Sequence, residues 1–164
     1  MREINIFCFG FGQVAKNFVS KFIAENIKVN LSVTSREKTN SKKYKDLDYK
    51  SYNFTENAYD QELLVDLKKA EYILVSIAPV NGTDIVVKNF QNIIDNSNTK
   101  WITYLSATSV YGNHNGEWVN EDSKTLPTSQ NGIDRLYAEK SWLNLANTKN
   151  LSLQICNLFH LNYY

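Results

Sequence analysis

The chain has 164 residues, of which 43% are hydrophobic, and this is enough for one domain with a sizeable core. Its formal net charge of +1 excludes a global field that would draw in nucleic acid or an anionic membrane. No apolar run approaches the roughly 20 residues that span a bilayer, and the N-terminus leads straight into a predicted strand without a signal peptide. We therefore expect one cytoplasmic domain over residues 1–164, with neither nucleic acid nor a membrane as a partner.

The N-terminal stretch carries the most informative pattern. Residues 4–9 form an uncharged apolar run, which predicts a strand buried on both faces. The run is followed by Gly10-x-Gly12-x-x-Ala15, the dinucleotide fingerprint with alanine in its third position. Gly10 permits a tight turn, Gly12 lets a pyrophosphate approach the backbone, and Ala15 lets the next helix pack closely. That helix is predicted from residues at spacings of three and four, namely Ala15, Phe18, Val19 and Phe22.

A helix that begins at this point offers free N–H groups and the positive end of its dipole to phosphate groups. The strand and helix patterns on either side are the context that the glycine motif requires. We therefore favour nucleotide binding over a plain strand–turn–helix whose glycines only make the turn. The residues predicted to contact the cofactor in this loop are Gly10, Phe11, Gly12, Gln13 and Val14.

The second strand, predicted over residues 28–34, bears on which dinucleotide is bound. In nicotinamide-binding folds an acidic residue at its end binds the ribose 2′-hydroxyl, whereas an arginine accommodates a 2′-phosphate. Here Ser35 and Arg36 follow the strand, and a guanidinium suits bidentate contact with phosphate. We therefore predict NADP as the cofactor, with NAD as the alternative because Glu37 lies close by. A solvated surface arginine in a lysine-rich loop is a further interpretation that stays open.

Strand and helix patterns alternate along the rest of the chain, which predicts an α/β fold with helices on both faces of a parallel sheet. We expect a Rossmann-type doubly wound sheet of six strands, order 3-2-1-4-5-6, with the glycine loop at the switch between strands one and four. Residues 37–50 are polar and are predicted as a loop with at most one helical turn. The remaining strands are predicted over 51–54, 72–77, 101–105 and 151–158, and the remaining helices over 59–69, 84–95 (capped by Asp84) and 133–148.

The cysteines and histidines give no sign of a metal site. Cys8 and Cys156 both lie in predicted strands, and two buried, reduced thiols are the expected state. His114 and His160 are far apart in the sequence and have no ligand-type spacing with either cysteine.

A second motif follows the fifth predicted strand, where the sequence runs Leu105-Ser-Ala-Thr-Ser-Val-Tyr-Gly112, and Leu136-x-x-Glu139 lies in the next helix. Together with the glycine loop, these motifs resemble the extended short-chain dehydrogenase/reductase family, in its NAD(P)-dependent epimerase/dehydratase branch. The resemblance covers essentially the whole chain. It implies a substrate-binding domain that would begin where this chain stops. It also implies that the nicotinamide lies along the ends of two strands, across Ile77, Ala78, Pro79 and Ser106.

The family's chemistry needs a Ser or Thr that polarises the substrate oxygen, a Tyr that exchanges its proton and a Lys that lowers the phenol pKa. The resemblance puts these positions on Ala107, Asn131 and Arg135, and none of them keeps the expected group. An arginine keeps the charge, but its planar guanidinium does not replace a compact ammonium.

Other hydroxyl and amine groups lie near these positions in the sequence. Tyr137 and Lys140 are three residues apart on the predicted helix, but their register differs from the family's, and we expect a half-buried tyrosine and a solvated lysine. Thr108 and Ser109 carry hydroxyls that we expect to point elsewhere along the strand.

Two functions are therefore open. The favoured one is an NAD(P)-binding Rossmann domain of an epimerase/dehydratase-like short-chain dehydrogenase/reductase that binds NADP but is catalytically degenerate or incomplete. The alternative is an active, atypical NADP-dependent oxidoreductase or epimerase that acts on a sugar-nucleotide-like or other small substrate through non-standard residues.

The helices over 84–95 and 133–148 are too apolar for a single buried face. We expect an outward apolar stripe on them and a homodimer through both helices, and the alternative is that neighbouring loops of the same chain cover both helices. Further bare apolar surface is expected at the C-terminus, near Leu158, Phe159, Leu161, Tyr163 and Tyr164. The residues predicted for the outward stripe are Phe90, Ile94, Trp142 and Leu145.

Overall fold

A computed structural model of the chain describes residues 3–37, 42–149 and 151–158. Its strands are β1 (Glu3–Phe9), β2 (Lys28–Ser35), β3 (Lys42–Tyr44), β4 (Leu47–Asn53), β5 (Tyr72–Val75), β6 (Trp101–Ala107) and β7 (Leu153–Leu158). Its α-helices are α1 (Gln13–Ala24), α2 (Leu63–Lys69), α3 (Ile85–Asp95) and α4 (Gln130–Lys149), and a 3₁₀ turn covers Thr108–Val110.

The strands form one sheet in the order β3-β4-β2-β1-β5-β6-β7. All neighbouring pairs are parallel except β3 with β4, so the predicted α/β fold with a parallel sheet is confirmed. The predicted number of strands is wrong, because the sheet has seven strands and not six. The six predicted strands keep their predicted neighbours, and the additional strand β3 lies at one edge.

The additional strand comes from the segment that we predicted as a loop. Residues 42–53 form an antiparallel hairpin in which Lys42 pairs with Tyr49 and Tyr44 pairs with Leu47, and Lys45 adopts a positive φ of 53° in its turn. Edge strands are commonly polar and lysine-rich, because only one side of such a strand pairs and charge discourages further pairing. The lysine-rich composition that favoured a loop is therefore also the composition of a protected edge.

Helices cover the two faces of the sheet unequally. Ala15 and Val19 of α1 pack with Ile6, Cys8 and other residues of β1 and β2 on one face. Helices α2, α3 and α4 all pack on the opposite face, where the aromatic residues of β1 meet those of the helices. This arrangement leaves the carboxyl ends of the parallel strands, and the loops that follow them, along a single edge.

The predicted outward stripe on α3 and α4 is wrong. Phe90, Ile94 and Trp142 are fully buried, and Leu145 is 6% exposed. Both helices are apolar over more than one face because each of them packs on the sheet and also on the other helix. The homodimer stays a prediction, without the residues that motivated it.

The Asp84 side chain forms hydrogen bonds with both of these helices. Its Oδ1 accepts hydrogen bonds from the backbone N–H groups of Val86 and Val87, both at 2.9 Å, as an N-cap of α3. Its Oδ2 accepts a hydrogen bond of 3.0 Å from Nε1 of Trp142 on α4. The predicted cap is confirmed, and the same carboxylate also ties the two helices together.

Two helix starts differ from the prediction. Helix α2 begins at Leu63 and not at Tyr59, because Tyr59 forms a β-bridge with Phe54 and packs against Phe90. Helix α4 begins three residues early, at Gln130, where Ser129 Oγ accepts a hydrogen bond from the Gly132 N–H group.

Leu158 is 39% exposed, whereas the other four residues of the predicted apolar C-terminus lie outside the described residues. None of the described helices is long and apolar enough to cross a membrane.

Candidate functional site

The glycine turn after β1 is held by the two neighbouring strands. Gly10 has a φ of +86°, and its N–H group donates a 2.9 Å hydrogen bond to Thr34 Oγ1 at the end of β2. A Cβ at this position would lie 2.7 Å from Ser76 Oγ and 2.9 Å from Ile77 Cγ2, beyond the end of β5. Both the backbone conformation and the close approach of β5 therefore require glycine at position 10.

Neither backbone conformation nor packing within the chain requires glycine at position 12. It is the N-cap residue of α1 and has a φ of −81°, which any residue can adopt. A Cβ here would meet no atom within 4 Å, so the space in front of the helix is open. No side chain caps the helix and no acidic residue lies in its first turn. The first N–H groups of α1 therefore face an open volume without a competing negative charge.

This open volume belongs to a cleft of about 280 Å³ beneath the ends of β1 and β6. It brings together predicted residues from opposite ends of the sequence, because parallel strands present their carboxyl ends at one edge of the sheet. The predicted residues that line it are Gly12, Gln13, Val14, Ser106, Ala107 and Arg135.

A larger cleft of about 610 Å³ lies on the other side of the glycine turn, between β1, β2 and the loop after β5. The predicted residues that line it are Gly10, Phe11, Ser35, Arg36, Ile77 and Ala78. Sequence reasoning missed Lys16, Thr34, Lys42 and Glu56, which line the same cleft. Thr34 immediately precedes the predicted Ser35 and was within reach of the motif argument, whereas Lys42 lies on the hairpin that we predicted as a loop.

The Phe11 side chain is engaged within the protein. Its ring contacts Tyr44 edge-on at 5.6 Å and Tyr49 at 5.0 Å between centroids. Lys16 Nζ lies 6.0 Å from the centroids of both the Phe11 and the Tyr44 ring. The aromatic ring therefore attaches the glycine loop to the β3–β4 hairpin, which is a structural role that the fingerprint does not indicate.

A third cleft, of about 560 Å³, lies between β6 and the start of α4. It brings together the three positions at which the family's catalytic groups were expected, Ala107, Asn131 and Arg135. Ala78 and Pro79 line the same cleft. Asn131 is exposed at the entrance of α4 and has no titratable proton. The three positions lie close together, but they carry no phenol, no ammonium and no hydroxyl. They therefore provide no proton-transfer group of the family's type.

Two hydroxyl residues lie closer to these positions than we expected. Strand β6 ends at Ala107, and Thr108 and Ser109 then enter a 3₁₀ turn, so the alternation of side chains along the strand stops. Both residues line the cleft together with Ala107. The lining gives the position of these residues and not the direction of their hydroxyls, so their expected direction stays a prediction. Tyr137, by contrast, is 59% exposed on α4 and does not line the cleft.

Arg135 is fixed to the end of β6. Its Nη1 donates a 2.7 Å hydrogen bond to the Leu105 carbonyl oxygen and a 3.3 Å hydrogen bond to the Tyr104 hydroxyl. Its guanidinium carbon lies 6.0 Å from the centroid of the Tyr104 ring. Arg135 lines both smaller clefts, and part of its hydrogen-bonding capacity is already used within the protein.

A buried polar pair lies behind this arginine. Ser106 is 4% exposed and Glu139 is 8% exposed, and the Ser106 hydroxyl is close enough to the Glu139 carboxyl to stabilise its charged form. Burial raises the pKa of the Glu139 carboxyl, and the nearby Ser106 hydroxyl and Arg135 guanidinium oppose that rise. Ser106 also lines the cleft in front of α1, so the Glu139 carboxyl interacts with a residue of that cleft.

Comparison with known proteins gives likeness of structure only. No protein-family model matches the sequence, and no curated protein is significantly similar to it. A functionally unknown conserved protein from Silicibacter pomeroyi has 26% identity and a TM-score of 0.72 over 93% of this chain and 51% of its own. UDP-N-acetylglucosamine 4-epimerase from Methanobrevibacter ruminantium has 17% identity and a TM-score of 0.74, over 96% of this chain and 55% of its own.

UDP-glucuronic acid 4-epimerase from Bacillus cereus, solved in complex with NAD, has 14% identity and a TM-score of 0.73. It is matched over 96% of this chain and 56% of its own length. What the epimerases share with this chain is the fold. The chain spans about half the length of the solved structures that it matches.

Proposed function

We propose that this chain is an NAD(P)-binding Rossmann domain of the epimerase/dehydratase-like short-chain dehydrogenase/reductase type, and that it binds NADP without carrying out the family's chemistry. The carrying observation is the start of α1. Its N–H groups have no side-chain cap, and a Cβ at Gly12 would have open space on every side within 4 Å. A pyrophosphate fits such a site, since it needs uncommitted donors, a positive dipole end and room beside the backbone.

The remaining predicted contacts follow from the clefts on either side. In the larger cleft, Ser35 and Arg36 would hold the phosphorylated ribose, and Ile77 and Ala78 would border the nucleoside. In the smaller clefts, Pro79, Ser106 and Ala107 would border the nicotinamide end. A nicotinamide dinucleotide supplies a hydride acceptor or donor when bound. The solved Bacillus cereus epimerase, whose complex contains NAD, supports a dinucleotide of this class.

The preference for NADP rests on Arg36. No carboxylate in the described part of the chain forms an ion pair with its guanidinium, whereas its backbone oxygen accepts a 2.8 Å hydrogen bond from Asn53 Nδ2. The backbone is therefore tethered while the charged group stays available to an anion. The Ser35 hydroxyl donates to the backbone oxygen of Glu37, which fixes the turn that follows β2.

The absence of the family's chemistry follows from Ala107, Asn131 and Arg135, which line one cleft but provide no general acid or base. One observation favours the second candidate, an active and atypical NADP-dependent oxidoreductase or epimerase. The same cleft is retained at about 560 Å³, and Thr108, Ser109 and the Asp134 carboxyl line it. A small polar substrate would have room and hydrogen-bonding partners there.

A purified sample tests both candidates. NADPH fluorescence and its enhancement or quenching report cofactor binding, and spectrophotometric assays with UDP-sugars report turnover. We expect saturable NADPH binding and no measurable epimerase, dehydratase or reductase turnover. Steady turnover that is lost in Asp134→Asn or Tyr137→Phe, with NADPH binding unchanged, would favour the second candidate and identify the residue on which its chemistry depends.

A further inference from the structure

Arg36 is not the only cationic side chain in the larger cleft. Three cationic side chains line it, Lys16, Arg36 and Lys42, against the single carboxylate of Glu56. None of the three cations forms an ion pair with a carboxylate in the described ranges. Cations that converge on a concave surface without carboxylate partners repel one another, and an anionic ligand removes that repulsion. Lys42 comes from outside the doubly wound part of the sheet, on the additional strand β3.

The alternation of side chains along β3 defines which way Lys42 faces. Residues two apart on a strand share a face, so Lys42 lies on the same face as Tyr44, and Lys43 lies on the opposite one. Tyr44 packs edge-on against Phe11 of the glycine loop. Tyr49, which pairs directly with Lys42 across the hairpin, also packs against Phe11 and lines the cleft. Lys42 therefore faces the glycine loop, as its position in the cleft lining requires.

The hairpin is attached to the dinucleotide edge at more than one point. The Tyr44 hydroxyl and Ser20 Oγ of α1 share a 3.0 Å hydrogen bond. The Phe11 ring packs against both tyrosines of the hairpin. These contacts restrict where the Lys42 backbone can lie relative to α1. They therefore reduce the conformational entropy that is lost when Lys42 binds a ligand.

We propose that the β3–β4 hairpin is a specificity element, and that Lys42 on it acts with Arg36 to bind the 2′-phosphate of a phosphorylated dinucleotide. This inference rests on the proposed function, because it assigns the phosphate end of the same ligand. Arg36 supplies planar, bidentate donors from the end of β2, and Lys42 supplies a compact ammonium from the hairpin. An unphosphorylated ribose gives the second cation nothing to neutralise, so Lys42 contributes to discrimination and not to binding in general.

The test uses two ligand fragments, 2′,5′-ADP and 5′-AMP, which differ only in the 2′-phosphate, with calorimetric titration of the whole chain. The variants are Lys42→Gln, Lys42→Arg, Arg36→Gln and the matched control Lys43→Gln, which removes the same charge from the adjacent residue on the other face. We expect Lys42→Gln to bind 2′,5′-ADP about tenfold more weakly and to bind 5′-AMP unchanged. Lys43→Gln should match the native chain for both ligands, and Lys42→Arg should retain the preference. Thermal melts of the variants show whether each one remains folded.

The outcomes separate this inference from the function on which it rests. If the native chain binds neither fragment and neither NADPH nor NADH, the proposed function and this inference both fail. If Arg36→Gln loses the preference for 2′,5′-ADP while Lys42→Gln keeps it, only the role of the hairpin is overturned. An equal loss of 2′,5′-ADP and 5′-AMP binding in Lys42→Gln overturns it as well, because the charge would then act without reading the 2′ position. The same holds if Lys42→Gln and Lys43→Gln weaken 2′,5′-ADP binding alike.

Discussion

The glycine-loop edge and the start of α4 lie at the same end of one sheet, yet they differ in what their residues can do. At the glycine loop, Gly12 leaves open space in front of the uncapped N–H groups of α1, and Lys16, Arg36 and Lys42 line the neighbouring cleft. At α4, Arg135 is hydrogen-bonded to the end of β6, and Asn131 and Ala107 provide no titratable group.

Under the proposed function, this difference separates binding from chemistry within one fold. A dinucleotide site depends on backbone conformation and free space, which a few glycines supply. A proton-transfer site depends on particular side chains, and Ala107 and Asn131, which line this cleft, carry no titratable group.

The largest effect should come from a residue that serves structure alone. Asp84→Ala removes the cap of α3 and leaves the Trp142 N–H group buried without its acceptor. We expect the free energy of unfolding to fall by about 2–4 kcal/mol, measured by chemical denaturation. NADPH affinity should stay unchanged while the protein remains folded. A loss of affinity at a concentration of denaturant where the variant is fully folded would connect the two regions that we separate.

Alanine at the two glycines should sharpen the contrast within the loop. Gly10→Ala places a Cβ against Ser76 and Ile77 at a positive φ, so we expect a loss of stability of about 2 kcal/mol. Gly12→Ala has space for its Cβ and should leave thermal stability unchanged but weaken NADPH binding, because the methyl group would occupy the volume meant for phosphate. Equal NADPH affinity in Gly12→Ala and the native chain would argue against a pyrophosphate at α1.

Arg36→Ala tests the cofactor preference. We expect a loss of about 1–3 kcal/mol in binding free energy for NADPH and a much smaller one for NADH, measured by calorimetric titration. The preference should also decline as salt is added, since the contact is exposed to solvent. Equal affinities for the two cofactors that do not respond to the substitution would remove the basis for NADP.

The buried Glu139 gives the smallest effect. Burial raises the pKa of its carboxyl above the usual 4.5, so its contribution to stability is complete below that value and is lost as pH rises through the raised pKa. Glu139→Gln removes this titration. Relative to the native chain, the variant should gain about 1 kcal/mol or less as pH rises from about 4 to about 8, measured by thermal melts. Parallel stability curves over this range would mean that Glu139 is not perturbed.

The sequence contained most of the parallel sheet, because buried strands and amphipathic helices have distinct periods. The β3–β4 hairpin could not be predicted, because a polar edge strand has the composition of a loop. The outward stripe was wrong for a related reason: periodicity reports how wide an apolar face is, but not whether a sheet, a neighbouring helix or a second chain covers Phe90 and Trp142.

The candidate site divides in the same way. The glycine loop could be predicted because its residues are contiguous and its motif is local. Ser76 and Lys42 could not be assigned, because only the packing of β5 brings Ser76 beside Gly10 and only the hairpin brings Lys42 into the same cleft. The clustering of Ala107, Asn131 and Arg135 followed from a resemblance and not from any spacing in the sequence.

The central claim is that this chain holds a dinucleotide at the glycine loop through backbone groups and space. Calorimetric titration of NADPH and NADH into the purified native chain, with Gly12→Ala alongside, tests it most directly. We predict saturable binding of one NADPH per chain, weaker binding of NADH, and a marked loss of both in Gly12→Ala with no change in melting temperature. Absence of saturable binding by either cofactor in a folded native sample would contradict the claim.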